Sequence, residues 1–296
     1  MESKIKALFT KPKNEFLGVL SSFDEAKYII LGFPFDFTCT YRFGASKAPD
    51  KIREASLNIE TYSFRFNFNV EDLKIYDIGN IKPCKNIEEA LTFLRKAILD
   101  ISRIGKIPVI LGGEHTLTYG VVNALKRKNF NLICFDAHFD LRDIYLNRKL
   151  SHATFMRRIV EKIGGKRIFL AGVRAACKEE VEYAIKNKVR YLTTLQIKSL
   201  GVDNVSKILR EFAEETNQVY ISLDMDVLDP AYTPAVSNPE PDGLDFSMLF
   251  NILYSLRGVS FLGLDVVEVT PDFDFGITSI QAAKAVFEIL CLAEKG

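Results

Sequence analysis

Seven short stretches of this chain are apolar at nearly every position: Tyr28–Phe33, Leu73–Tyr76, Pro108–Leu111, Leu132–Phe135, Ile168–Ala171, Val219–Leu223 and Val259–Leu264. A strand with one wet face alternates polar and apolar residues. A strand without that alternation is buried on both faces, as in a parallel sheet covered by helices on each side. The segments between the runs carry helical periodicity instead. Asn86 followed by Glu89 has the pattern of a capping box. Ile87, Leu91, Leu94, Ile98 and Ile101 then form an apolar stripe that Gly105 ends. A last helix is expected to start with Thr278 and Gln281 as cap partners, with the stripe Ile280, Ala283, Phe287 and Leu290. Strand–helix alternation predicts an α/β fold, a three-layer α/β/α sandwich with a mainly parallel sheet. The sequence has no repeat, low-complexity tract or linker-like composition shift, so residues 1–296 read as one domain.

In such folds ligands sit outside the carboxyl ends of the strands. The chain has 3 histidines. His115 follows Pro108–Leu111 in Gly112-Gly113-Glu114-His115. His138 follows Leu132–Phe135 in Asp136-Ala137-His138-Phe139-Asp140, and His152 comes later in the same connection. If the strand continued through Asp136, His138 and Asp140, a period of two would put all three on one side. Val219–Leu223 is followed in the same way by Asp224-Met225-Asp226. Four aspartates and two histidines then meet at one sheet edge. Carboxylates that close repel one another and resist desolvation unless cations accompany them. Four of them balance two divalent ions, and mixed His and Asp donors suit manganese, cobalt, nickel or zinc better than calcium. Read alone, an Asp-x-Asp after a strand is a cap or a loop, and His115 simply caps the next helix. The set as a whole points to a metal site.

Composition removes other classes. Lys plus Arg is 39 and Asp plus Glu is 38, a net charge of +1, which gives no support for nucleic acid or a membrane surface as partner. No apolar run approaches the roughly 18 residues of a membrane span. Met1 to Asn14 is polar and basic, without the apolar run of a signal peptide. The 5 cysteines are scattered with no CxxC; Cys134 and Cys291 lie in apolar segments and read as small buried hydrophobes. That usage fits a reducing cytoplasm.

The motifs Gly112–His115, Asp136–Asp140 and Ser222-Leu223-Asp224-Met225-Asp226-Val227-Leu228-Asp229-Pro230 resemble the three signatures of the arginase/agmatinase (ureohydrolase) family. Gly32–Asp36, Tyr41–Ala45, Pro49–Ser56 and Gly263–Glu268 extend the resemblance over most of the chain. It implies a sheet of about eight strands, trimers or hexamers, and a site for two manganese ions. One ion takes His115, Asp136, Asp140 and Asp224; the other takes Asp136, His138, Asp224 and Asp226. It further implies a hydroxide between the two metals that attacks the guanidinium carbon. Asp140 orients that nucleophile, His152 transfers protons, and Glu268 holds the guanidinium. Outside the resemblance, Glu268 reads as a strand-end glutamate in a surface ion pair, and Asp265, Asp272 and Asp274 as solvated loop residues.

The sequence departs from the family at Glu114 and Thr116, where Asp and Ser are usual, and at Ala153, where Gly is usual. The Gly-rich loop after Pro230 is replaced by Ala235–Gly243. There Asp242 tolerates a positive φ better than Ala235 or Ser237 does, so another path is expected. The stretch Leu141–Leu150 lacks the Ser- and Asn-rich pattern with which arginases read an amino-acid head, and it favours agmatine. Asp143 is a candidate partner for the distant amine; Arg142 reads first as a solvent-facing loop arginine, or else faces a carboxylate, which would fit guanidinobutyrate, and an arginase on the same site is the other alternative. A binuclear phosphoesterase lacks a basic or Gly-rich phosphate cradle here. A catalytically inactive binding protein predicts a lost ligand, and all six are present.

Overall fold

The computed structural model describes residues 2–18 and 21–295. Its strands are β1 (Phe9–Thr10), β2 (Tyr28–Gly32), β3 (Tyr62–Ser63), β4 (Phe68–Asn69), β5 (Ile75–Ile81), β6 (Ile107–Leu111), β7 (Asn131–Phe135), β8 (Ile168–Val173), β9 (Arg190–Thr193), β10 (Gln218–Asp224) and β11 (Ser260–Val267). A 9-stranded sheet has the order β1-β5-β2-β6-β11-β10-β7-β8-β9, and β3 and β4 form a separate hairpin. Every neighbour pair in the large sheet is parallel except β1 with β5. The eight expected strands are thus the parallel ones, with β1 added antiparallel at the edge.

Two of these strands have no counterpart among the apolar runs. β1 is two residues long, and β9 is an edge strand whose four residues are only partly buried. The others are buried on both faces. In β7, Ile133 and Phe135 join the apolar cluster on one side of the sheet, while Leu132 and Cys134 join the cluster on the other. Each such side chain contributes roughly 1.5–3 kcal/mol when fully buried. The helix Ile87–Arg103 packs its stripe into one cluster, and the helix Ile277–Lys295 packs into the opposite one, giving the three layers.

The caps show how local sequence sets the ends. Asn86 accepts a hydrogen bond from the Glu89 N–H at 2.9 Å, as the pattern predicted, and Gly105 takes φ +74° where the chain leaves the helix. The last helix is capped differently from expectation. Asp274, not Thr278, is the cap: its carboxylate accepts the N–H of Thr278 at 2.8 Å and that of Gly276 at 2.7 Å. Asp272 stays exposed and pairs with Lys47.

Register decides where the site forms. Leu111 pairs with Val266, Val266 with Leu223, and Leu223 with Phe135, so the carboxyl ends of β6, β11, β10 and β7 lie in one line. Whatever follows these strands emerges side by side. Among the described residues no helix is long and apolar enough to cross a membrane.

Candidate active site

Asp136 is the first residue beyond β7, and Asp224 is the last residue of β10. Neither aspartate pair is aligned by strand alternation, as the sequence pattern had suggested. β7 has already ended at Asp136, and Asp140 takes φ +52°, which no strand continues through. After Asp224 the chain makes a 3₁₀ turn, and the Asp224 carboxylate accepts the Asp226 N–H at 2.9 Å. Asp136 does the same for the His138 N–H at 2.6 Å. Asx turns, not pleats, aim these side chains.

The result is a set of converging donors. His115 Nδ1 lies 3.2 Å from Asp136 Oδ2 and 3.0 Å from Asp224 Oδ2. His138 Nδ1 lies 2.9 Å from Asp226 Oδ2 and 3.6 Å from Asp136 Oδ1. Asp136 therefore shows one oxygen to each histidine. Asp140 lines the same cavity, though outside the tightest triads of donor atoms. Those triads are Asp136, His138 and Asp226, and His115, Cys134 and Asp136. Cys134, by sequence a small buried hydrophobe, belongs to the second of these. Its Sγ is 3.7 Å from His115 Nε2 and 4.0 Å from Asp136 Oδ2. No sequence signal marked it, because its strand is apolar throughout.

The donor set fits divalent cations. His115 Nδ1 is buried and forms no hydrogen bond, although two carboxylates stand beside it. Burial disfavours charge on His138, yet the Asp226 and Asp136 carboxylates outweigh it and raise its pKa well above the ordinary value. Burial, together with the charges of Asp226 and Asp136, pushes Asp224 well up; burial and the charge of Asp136 do the same to Asp140. Negative charge is thus crowded enough to pull protons onto any available group, and bound cations relieve the same stress.

Behind His115 runs a support that sequence reasoning missed. Asp265, expected in a solvated loop, is fully buried in β11. It accepts hydrogen bonds from Ser222 at 2.6 Å, Tyr220 at 2.6 Å and Thr118 at 3.0 Å, and Ser222 Oγ lies 2.8 Å from His115 Nε2. A metal-facing histidine is commonly fixed from its other nitrogen in this way. The pairing Ser222↔Asp265 across β10 and β11 is a tertiary fact that no run of sequence displays.

Glu268 follows β11 with φ +65° and is buried, not in a surface ion pair. Its Oε1 accepts the His115 N–H at 2.6 Å, while Oε2 has no partner. Burial pushes this carboxyl up to about 7. His152 is also buried; its burial and the charge of His138 lower it to about 4. A cavity of about 460 Å³ joins Asp140, His152, Glu268, Asp224, Asp226 and His138.

The cavity mouth sorts the remaining candidates. Asp143 does not line it, because its carboxylate is taken by Arg158 at 2.6 Å and approached by Arg157 at 3.6 Å. Arg142 does line it, stacked on Tyr145 at 5.3 Å with Nε 3.7 Å from Glu180. Arg174 lines it too, but its guanidinium is spent on main-chain carbonyls, among them Asp226 at 2.6 Å and Glu240 at 2.8 Å. The loop Ala235–Gly243 borders the cavity. Only Asp242 has a positive φ among its non-glycine residues, and Val236 bridges to Val269. The loop places Asn238 and Glu240 in the cavity wall.

The Arginase family pattern matches residues 26–292. The chain is 35% identical to an agmatinase of Pyrococcus horikoshii over 274 residues, 92% of this chain and 93% of that protein. It is 34% identical to an N(1)-aminopropylagmatine ureohydrolase of Thermococcus kodakarensis, covering 89% of this chain and 90% of that protein. The crystal structure of the agmatine ureohydrolase of Thermoplasma volcanium superposes with a TM-score of 0.89 at 34% identity, over 99% of this chain and 98% of that one.

Proposed function

This chain belongs to the arginase family, a family of binuclear metal enzymes, and from that premise we propose that it hydrolyses agmatine to putrescine and urea. It is a hydrolase acting on C–N bonds of guanidino compounds. The observation that carries the agmatine reading is the pairing of two acids in one cavity. Glu268 is buried with a free oxygen, and Glu240 is half-exposed, with His138 Nε2 at 3.9 Å and no lysine or arginine within 4 Å of its carboxylate among the described residues. Agmatine carries a cation at each end, and this cavity offers an acid for each.

The residues divide the work as follows. His115, Asp136, Asp140 and Asp224 are assigned to one divalent ion, and Asp136, His138, Asp224 and Asp226 to the other, most suitably manganese. The ions, when bound, supply a hydroxide at neutral pH and polarise the guanidinium. Glu268 holds the guanidinium by a charge-assisted hydrogen bond. Asp140 orients the attacking oxygen and accepts its proton. His152, neutral at physiological pH, carries a proton to the departing amine. We assign residues 1–296 to one catalytic domain, acting as a homo-oligomer (trimer or hexamer) in the cytoplasm; the five cysteines, all free, support a reducing compartment.

Arg142 in the cavity wall favours a second reading, a guanidino acid such as guanidinobutyrate, whose carboxylate would face it. Urea release with manganese across agmatine, arginine and guanidinobutyrate decides between them. We expect kcat/KM for agmatine to exceed that for arginine by at least about 10²-fold, roughly 2.7 kcal/mol of transition-state binding. Glu268→Gln should slow both substrates alike, because the guanidinium is common to them. A preference for guanidinobutyrate or arginine would overturn the agmatine assignment.

A further inference from the structure

Glu114 is one of the departures from the family pattern, and it is fully buried. Two hydrogen bonds to its carboxylate come from Thr38. The Thr38 N–H donates to Glu114 Oε2 at 2.6 Å, and the Thr38 hydroxyl donates to Glu114 Oε1 at 2.9 Å. The same hydroxyl oxygen accepts the main-chain N–H of His152 at 2.9 Å and stands 3.3 Å from His152 Nδ1. Glu114, Thr38 and His152 are each more than nine-tenths buried, so water does not compete for these bonds.

A hydroxyl has one proton and two lone pairs. With Glu114 ionised, the Thr38 proton is directed to a carboxylate oxygen, which only accepts. Both lone pairs then face His152, one toward its N–H and one toward Nδ1. For the second contact to be attractive, Nδ1 must carry the hydrogen. The other ring nitrogen, Nε2, is left with its lone pair on the Thr40 side, where Thr40 Oγ1 lies at 3.4 Å and the cavity opens. We propose that Glu114 and Thr38 are positioning residues that hold His152 in its Nδ1–H tautomer, so that Nε2 takes up and gives away the proton. This rests on the reading of His152 as the proton-transfer group.

Glu114→Gln tests the chain of bonds because it keeps the shape and changes the polarity. The amide oxygen still accepts the Thr38 N–H, but the NH₂ now faces the Thr38 hydroxyl. That hydroxyl must turn its own proton to Nδ1, which moves the histidine proton to Nε2. Solid-state ¹⁵N spectra of histidine-labelled protein read this directly, without substrate, since protonated and bare ring nitrogens are well separated and the chain has 3 histidines. His152→Asn identifies the signal. We expect Nδ1–H in the parent protein and Nε2–H in Glu114→Gln. With guanidino substrate, Glu114→Gln should lower kcat by about 10-fold or more, with KM and metal content unchanged. Thr38→Val should lower kcat as much, and Thr38→Ser should restore it. Nε2–H in the parent protein would overturn the proposal. So would an unchanged tautomer in Glu114→Gln, or metal lost in step with activity, which would tie Glu114 to His115 instead. If the parent protein releases no urea from any guanidino compound, the functional reading fails on its own, while the spectra still decide the tautomer.

Discussion

At the scale of single residues, the site is a problem of charge held out of water. Asp136 meets both histidines, so Asp136→Ala should lose at least one ion and nearly all turnover. Metal analysis giving two ions per chain with normal turnover would refute the assignment. His152 plays a different part, and His152→Asn should keep both ions while kcat falls by about 10²–10⁴. Its burial also has a signature in stability. His152 sits at about 4 in the folded chain, against about 6.5 in an unfolded one. Between those values the unfolded chain binds the proton and the folded one does not. Its contribution is therefore whole above about pH 6.5 and is lost as pH falls toward 4, to the extent of about 3 kcal/mol. Metal ligands titrate as well, so the measurement is a comparison. Urea denaturation from pH 6.5 to 4 should show a shallower pH dependence in His152→Asn, and parallel curves would mean that His152 is not held neutral.

At the scale of elements, the strand ends do the assembling, and here the limits of the sequence are instructive. The apolar runs located β2, β6, β7, β8, β10 and β11 to within a few residues, because burial on both faces leaves no polar position to blur them. β9 escaped for the converse reason: an edge strand is half wet and carries no such signature. The residues assigned as ligands stood out in the sequence because they follow strands, but the aim of their side chains did not. It comes from Asx turns and from positive φ at Asp140 and Glu268, which depend on neighbours distant in sequence. Asp265 was misjudged on similar grounds, since its three hydrogen-bonding partners arrive from β10 and from the helix after His115. The turn after β6 permits a direct test. A Cβ on Gly113 would stand 2.0 Å from the Phe35 carbonyl oxygen, and Gly113 itself accepts the Glu268 N–H at 2.9 Å. Gly113→Ala should therefore cost more than about 2 kcal/mol and lower metal occupancy. Gly105 has φ +74° but open space around it, so Gly105→Ala should cost only about 1–2 kcal/mol and leave metal binding alone. Equal effects of the two, by denaturation and metal analysis, would show that crowding at Gly113 is unimportant.

At the scale of the whole molecule, one face is more apolar than a solitary protein needs. Tyr41, Phe43, Phe273, Phe275, Ile277 and Ile280 are all exposed, and the Arg42 guanidinium bridges the two stretches, over the Tyr41 ring at 5.4 Å and the Phe273 ring at 5.0 Å. Continuous exposed apolar surface of this kind marks contact regions. Light scattering should give three or six times 33.5 kDa, and Phe275→Asp should shift the mass downward. A parent protein of 33.5 kDa at micromolar concentration would rule the assembly out. The strand order carries one more implication, for the chain as it is made. β6 and β7, which deliver His115 and Asp136, are separated by two strands, β11 and β10, the last to be synthesised. A ribosome that has passed Asp140 has produced most of the residues assigned as ligands and none of the spacing between them. Until Val267 has left the exit tunnel, the first two motifs have no scaffold on which to meet. Metal uptake is then a late checkpoint on synthesis, not a seed for it. Nascent chains released before Ser260 should gain no protease protection from manganese, and chains that extend past Glu268 should.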